Sequence, residues 1–511
     1  MSINKILKIE NLQKKIKLFK AKKCKIVLCH GVFDVLHLGH INHFKDAKKQ
    51  GDILIVSVTA DKFVNKGSNR PIFELNTRMS SLAALEDVDF VIQSNNASPV
   101  NLILQLKPNL YCKGKDYLDM KSDITGKIKI EEKAIKKVGG KIYFSNTEMM
   151  SSSKIINQAG FNLNEDQKKF LNKIKKTINA DTDLKILNII DSFKDLKVLV
   201  IGETIIDQYI FCEALGKSGK EPVLVLRDLY EKKYLGGAAA LTNNLASFCK
   251  KVSLISYLGK EKSDEKFVSQ NLDKRVRKFF LRKKNSTTII KKRFVEEINK
   301  TKVLGVYTLN DGPLERNQET QLKKKIIEQI KKHDVVIVSD YGHGLISKNI
   351  AGNIIKNSKF LAVNTQVNAS NIGYHVISKY KGANLLTMNE TELRHELRDK
   401  NSSLSDLSKK ISHDLKSRYT NVTCGKDGSY LYDRKNKKTT YCPAFATKVL
   451  DKVGTGDTMM TLLTLCLYKK IDYNLATFIS AIAASENIVS FANEKNLNKI
   501  NFIKSVQSYL K

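Results

Sequence analysis

The chain has 511 residues, 42% apolar and 27% charged, with 26 Gly, six Pro and no Trp, which excludes disordered, collagenous and small disulfide-built classes. This length predicts two or three compact domains. Lys and Arg number 88 against 52 Asp and Glu, a net charge of +36, yet residues 1–160 carry +12 (27 basic minus 15 acidic) and the remainder +24. A nucleic-acid stripe would be concentrated and Arg-rich, whereas this excess is spread out and only 12 of the 88 cations are Arg. The expectation is a solvated basic surface with no specific nucleic-acid partner.

Residues 1–24 are the one local concentration, and with Ile3, Ile6, Leu7, Leu12, Ile16 and Phe19 at near-helical spacing they predict a basic amphipathic helix packed on the following domain. No apolar leader follows Met1, and no stretch reaches the roughly 18 uninterrupted apolar residues needed to span a bilayer. A cytoplasmic protein with no membrane partner is expected. Eight cysteines lie scattered, never as CxxC, and read as reduced packing residues rather than a disulfide framework or zinc site.

From Lys25 to residue 159, short β-branched runs alternate with helical patterns: KIVLCHGVF, LGHINHFKDAKKQ, DILIVSVTAD, and so on to GGKIYFS. Strands alternating with helices predict an α/β domain with a parallel sheet. GVFDVLHLGH sits where a strand turns into a helix, so His37 and His40, three apart, share one face at a helix N-terminus. Free N–H groups and the positive end of the helix dipole favour an anion there, two imidazoles add donors, and Gly39 lets a phosphate approach the backbone. That constellation suits a nucleotide α-phosphate. Ser151, Ser152 and Ser153 before a helical run are good N-caps and anion ligands.

These residues, with RPIFELNTRMSSLAALEDVDFVI, KPNLYCKGKDY and TEMMSSSKI, resemble the HxGH nucleotidyltransferases. The branch is that of glycerol-3-phosphate cytidylyltransferase and the adenylyltransferase half of bifunctional ADP-heptose enzymes. The resemblance implies a Rossmann-like fold in which His37 and His40 are catalytic. Gly31, Phe33, Asp34, Gly39, Lys113 and Ser151–Ser153 would then bind nucleotide or phosphate. Asn146 stands near the place of an Arg in the cytidylyltransferases, which leaves ATP or CTP open.

Residues 160–193 are polar, Lys-rich and helical in pattern, and predict a helical linker. LKVLVIGETIIDQYIF then opens a second α/β domain, 194–511, with further strands at KVSLISYLG, DVVIVSDYG, FLAVNT, ANLLTMN and NVTCGKDGSYLYD. In KVLDKVGTGDTMM a Gly-rich turn opens an apolar helix; Gly454, Thr455 and Gly456 offer N–H groups to an anion, and Asp457 beside them suits a base taking a proton from a hydroxyl. Gly236 and Gly237 begin another helix, where a polyhydroxylated substrate could meet bare backbone. Asp207, ending a strand, is placed to accept from sugar hydroxyls.

Together with NETE (389–392) and CGKDGSYLYD (424–433), these features resemble the ribokinase-like (PfkB) carbohydrate kinases, nearest the heptose-7-phosphate kinase half of the ADP-heptose enzymes. The resemblance implies that Asp457 is the catalytic base and 454–456 the anion hole. Asn389 and Glu392 would help hold Mg²⁺ indirectly, and Gly425 and Gly428 would line the ATP site. Segments 222–234 and 277–296 would form a small β lid that mediates a homodimer. The chain departs from the family in GTGD for GAGD, in His343 for a Lys, in VNTQ (363–366) for Asp-Pro-Lys, and in placing the transferase before the kinase. The expected function is an enzyme that uses ATP and Mg²⁺ to phosphorylate a sugar or sugar phosphate, and then joins a sugar 1-phosphate to a nucleotide. Two alternatives stand beside it: a cytidylyltransferase for a polyol or other sugar phosphate with its own kinase, and a regulatory protein with a degenerate kinase half.

Overall fold

A computed structural model describes residues 5–64, 70–115, 127–146, 163–178, 182–446, 449–494 and 496–510. The chain divides into two compact units, Met1–Glu165 with Ile500–Lys511, and Asp166–Lys499.

In the first unit, β1 (Ile26–Gly31), β2 (Ile53–Thr59), β3 (Phe90–Ser94), β4 (Leu110–Gly114) and β5 (Lys141–Ser145) form a parallel sheet in the order β3-β2-β1-β4-β5. Strand side chains alternate between two cores. Val27 and Cys29 point to the face that also holds Phe44, Ala47, Met79 and Leu82. Ile26 and Leu28 point to the other, with Leu12, Ile16, Ile103 and Leu106. Helix Ile9–Ala21 belongs to that second core, since Leu12 and Ile16 fall on its buried stripe. The strand order reverses between β1 and β4, and the carboxyl ends of the strands at such a switch point are the usual place for a ligand.

The second unit contains β6 (Lys197–Gly202), β7 (Thr204–Lys217), β8 (Leu224–Gly236), β9 (Lys251–Leu258), β10 (Arg277–Arg282), β11 (Ile289–Glu296), β12 (Lys302–Thr308), β13 (Val335–Asp340), β14 (Leu361–Thr365), β15 (Leu385–Asn389), β16 (Tyr419–Thr423), β17 (Ser429–Asp433) and β18 (Lys438–Cys442). Nine of these make the main sheet, β10-β9-β6-β13-β14-β15-β16-β17-β18, parallel until the antiparallel β17 and β18. Four make a smaller sheet, β12-β11-β7-β8, the lid.

The lid differs from its sequence reading. Residues 277–282 are not lid but the parallel edge strand β10 of the main sheet, registered on β9 from Arg277–Ser253 to Arg282–Leu258. Their apolar Phe279 and Leu281 pack against the main core. The lid takes β12 in their place, which pairs with β11 and exposes Leu304, Val306 and Tyr307.

Residues 160–193 also do more than connect. Helix Glu165–Ile178 buries Phe170, Leu171, Ile174 and Ile178, the Gln167 amide donates to the Ala444 carbonyl at 2.6 Å, and Phe170 meets the Phe445 ring. From Asp166 on they are part of the second unit, whereas the chain from Ile500, read as kinase up to residue 511, groups with the first. Among the described residues all eight cysteines are free thiols and no helix is long and apolar enough to cross a membrane.

Candidate active sites

In the first unit the chain leaves β1 through Gly31 and turns at Phe33, whose φ is +50°. A side chain at Gly31 would strike the Phe33 ring, so the glycine lets that ring fold back and stand edge-on to His40, 5.4 Å between centroids. His37 is the N-cap of helix Leu38–Lys48, and its Nδ1 accepts the His40 N–H at 3.3 Å. An accepting Nδ1 carries no proton, so the neutral ring bears its hydrogen on Nε2. The two imidazoles stack with centroids 3.8 Å apart and planes 17° from parallel. The expected shared face at the helix N-terminus is therefore formed, just after the carboxyl end of β1, and Gly39 lies in the first turn, between the two histidines in sequence.

Asp34 is committed elsewhere. Its carboxylate, 4% exposed, accepts the Ile72 and Phe73 N–H groups and pairs with Arg70 at 3.5 Å, so it fixes the 70–73 loop. Arg78, fully buried, holds the same region through the Val32, Phe73 and Thr59 carbonyls and the Asp61 carboxylate. Lys113, the last residue but one of β4, pairs with buried Glu131 at 2.5 Å, so part of its charge is compensated. Ser151, Ser152 and Ser153 lie outside the described residues.

In the second unit the site gathers at the carboxyl ends of the parallel strands. Gly454, φ +79°, caps helix Thr455–Tyr468, and a side chain there would collide with Asn493. Among the described residues nothing lies within 4 Å of where a Cβ on Gly456 would be, so the first helical turn opens outward. By position the N–H groups of Gly456 and Asp457 lack intrahelical acceptors. The Thr455 hydroxyl donates to Asn487 at 3.2 Å.

Asp457 is held from three directions: Tyr341 Oη donates to Oδ2 at 2.6 Å, and Asn364 Nδ2 and Ser339 Oγ donate to Oδ1 at 3.3 and 3.4 Å. Registry makes this possible, because Ser339 and Asn364 are paired neighbours on β13 and β14. Burial raises the Asp457 pKa, while these donors and Lys291 pull it back down. Lys291, on lid strand β11, lies 5.3 Å from the Tyr341 ring centroid; burial lowers its pKa against the opposing field of Asp207, Glu203 and Asp457. Asp207 itself is 3% exposed and ion-paired with Arg293, also on β11, and a side chain at Gly236 would collide with its carboxylate. Gly237, φ +56°, follows directly.

Glu203, fully buried after β6, accepts the Tyr341, His343 and Leu345 N–H groups and so shapes the loop bearing Tyr341. His343 donates or accepts through Nδ1 with Asp311 at 2.6 Å. Asn389 and Glu392 form a reciprocal capping box for helix Glu390–Leu397, and Glu392 also accepts the Val367 N–H at 3.2 Å. Gly425 and Gly428, both at positive φ, bound the turn after β16. Sequence reasoning leaves Ser339, Tyr341, Asn364, Glu203, Lys291 and Arg293 unassigned. The signal was available: SDYGHG and VNTQ stand at strand ends, and their tyrosine, serine and asparagine are the Asp457 donors.

Burial, with Asp340 adding to it for Glu203 and Asp457 for Glu392, lifts both glutamates from 4.5 to about 7. The folded chain thus keeps protons that the unfolded chain releases, so the stability this supplies is complete below about pH 4.5 and is lost as pH rises through about 7. The urea midpoint of the second unit is expected to fall from pH 5 to pH 8. Glu392→Gln should remove roughly 1–3 kcal/mol of that slope. Equal pH profiles for wild type and variant would contradict the assignment.

Comparison with known proteins places two families on these units. Residues 195–491 match the family described as pfkB family carbohydrate kinase, and residues 28–158 match Cytidylyltransferase-like. The chain is 31% identical over 322 residues to "Bifunctional protein HldE" of Campylobacter jejuni subsp. jejuni, covering 61% of this chain and 67% of that protein. Against the protein of the same name from Actinobacillus pleuropneumoniae serotype 5b it is 43% identical over 114 residues, 22% of this chain and 24% of the relative. Among solved structures, phosphofructokinase-2 from Escherichia coli in complex with potassium superposes with TM-score 0.51 at 16% identity, over 62% of this chain and 99% of that one. At that identity the likeness speaks for the fold alone.

Proposed function

The chain belongs to the pfkB family of carbohydrate kinases and carries a nucleotidyltransferase ahead of the kinase on the same polypeptide; from that premise we propose that it serves two steps toward an activated heptose, phosphorylating a heptose 7-phosphate and, after a separate phosphatase has hydrolysed off the 7-phosphate, joining the heptose 1-phosphate to the AMP moiety of ATP. The observation that carries the kinase half is the convergence of Tyr341, Ser339 and Asn364 on Asp457 beside the open turn at Gly456.

In the kinase step Asp457 takes the proton of an acceptor hydroxyl as its oxygen bonds to the ATP γ-phosphorus. The bond to the β–γ bridging oxygen breaks and ADP leaves, with the N–H groups at 454–456 receiving the charge that develops. Lys291 and Arg293 bring two cations to the substrate face of the lid, which suits a sugar that already bears phosphate. Asp207 and the Gly236–Gly237 turn meet its hydroxyls. Glu392 fits a metal-dependent reaction: it is a half-buried carboxylate in the field of the Asp457 carboxylate, with its oxygens tied to backbone N–H groups, so with Asn389 it would hold hydrated Mg²⁺ through water. Held there, Mg²⁺ would supply positive charge to offset that of the ATP phosphates. Intact support of Asp457 favours an active kinase over a degenerate regulatory domain.

In the transferase step a phosphate oxygen of the sugar 1-phosphate bonds to the nucleotide α-phosphorus and pyrophosphate departs. His37, with its proton on Nε2, and His40 donate to the α-phosphoryl oxygens. Gly31, Gly39, Lys113 and the serines at 151–153 complete the phosphate site, while Gly425 and Gly428 border the ATP of the kinase. Lid strands β8 and β12 expose Leu224, Leu229, Tyr230, Leu304, Val306 and Tyr307, apolar groups that support a homodimer formed through the lid. We place the enzyme in the cytoplasm, where its nucleotides and sugar phosphates are found.

The test is pyrophosphate release with ATP and with CTP across sugar 1-phosphates. ATP with a heptose 1-phosphate is the expected best pair. A preference for CTP and a polyol phosphate would replace the adenylyl reading with the cytidylyl one.

A further inference from the structure

The eight cysteines are scattered along the chain, but folding brings two of them to one histidine. Cys29 on β1 and Cys112 on β4 are direct register partners in adjacent parallel strands, so their side chains leave the sheet on the same face. Helix Leu38–Lys48 packs on that face through Phe44 and Ala47, which share the core with both cysteines. One helical position before Phe44, His43 reaches the sulfurs: its ligand nitrogen and the two Sγ atoms all lie within 4.8 Å of one another. We propose that Cys29, His43 and Cys112 bind a thiophilic divalent cation, Zn²⁺ being the natural occupant, and that it ties β1, β4 and the histidine-bearing helix together.

Three arguments support a metal over mere packing. The donor set is soft, two thiols and an imidazole, which selects zinc over the magnesium that phosphoryl chemistry uses. Charge balances: as Zn²⁺ enters, each thiol gives up its proton to solvent, two Zn–S bonds and one Zn–N bond form, and the dication with two thiolates is neutral. A neutral complex is what an apolar core can accept, since Cys29 is 0% and Cys112 2% exposed. The surroundings also serve as a second shell. His43 Nδ1 hydrogen-bonds the Ser145 hydroxyl at 2.6 Å, which fixes the ring, and Ser145 in turn donates to the Lys113 carbonyl at 3.3 Å. With Nδ1 engaged by Ser145, the imidazole meets the ion through Nε2, and a water can take the fourth tetrahedral position. His43 is half-buried, whereas both sulfurs are enclosed, so the ion's way in runs past the imidazole.

The site lies on the helix that carries His37 and His40, but His43 is a separate position and the two stacked rings need no metal for their capping geometry. The assignment therefore stands or falls apart from the nucleotidyl reading, and its test uses no activity. The full chain, stripped with chelator, is titrated with Co²⁺ and with Zn²⁺. One equivalent of Co²⁺ is expected to give a thiolate-to-metal charge-transfer band in the near ultraviolet, displaced by Zn²⁺. X-ray absorption on the zinc-loaded wild type is expected to show two sulfurs at about 2.3 Å with two lighter ligands. Cys29→Ser and Cys112→Ser should each lose the band, and Cys24→Ser should keep it. A zinc shell of nitrogen and oxygen only, or a cobalt spectrum without the thiolate band, overturns the proposal, and both readouts use the wild-type chain, so neither depends on the variants folding.

Discussion

Asp457→Asn is expected to lower sugar-dependent ATP turnover about a thousandfold, within the range for losing a general base, while pyrophosphate release by the first unit continues at the wild-type rate. Asparagine keeps the size and can keep a hydrogen bond with Tyr341, so the loss isolates the proton-accepting function. The surroundings make a finer version possible. Burial raises the Asp457 pKa and the Tyr341 hydroxyl, donating at 2.6 Å, lowers it. Removing that donor in Tyr341→Phe should raise it further, so that the acid limb of the kcat profile moves to higher pH while the plateau changes less. Equal turnover in wild type and Asp457→Asn would remove Asp457 from the mechanism, and an unmoved acid limb in Tyr341→Phe would remove the tyrosine's part in tuning it.

The sequence was most informative where local pattern and chemistry coincide. GVFDVLHLGH names a strand, a turn and a helix start within ten residues, and the two histidines three apart must share a face once the helix forms. The turn at Gly454 is likewise local, because only the glycine tolerates φ +79° against Asn493. What stayed hidden depends on register between distant strands. Nothing in spacing says that Ser339 on β13 and Asn364 on β14 will lie side by side and reach residue 457, or that Lys291 and Arg293 from the lid will meet Asp207. Residues 277–282 misled for a related reason: alternating apolar positions predict a strand, but only pairing decides which sheet accepts it. Asp34 and Lys113 show a third limit. Both are expected by resemblance to bind nucleotide or phosphate, yet their charges are engaged by Arg70 and Glu131, partners whose approach follows from loop and helix packing.

His37 carries the second large expectation because two functions meet in one ring. Its Nδ1 caps the helix by accepting the His40 N–H, and that same bond leaves the hydrogen on Nε2, the donor that the proposed transfer step would turn to a phosphoryl oxygen. His37→Ala should lose both, with nucleotidyl transfer falling about 10²- to 10³-fold, as for removal of one transition-state donor. His37→Asn separates them, since asparagine is among the best N-caps and restores the helix start without the imidazole. The expected result is that Asn recovers thermal stability but not rate, and that His40→Ala resembles His37→Ala in rate with kinase turnover untouched. The double variant should cost less than the product of the singles, because stacked rings at 3.8 Å act on one phosphoryl group. Recovery of full rate by Asn would reduce His37 to a cap and leave the charge on the α-phosphate to His40 and the helix N-terminus alone.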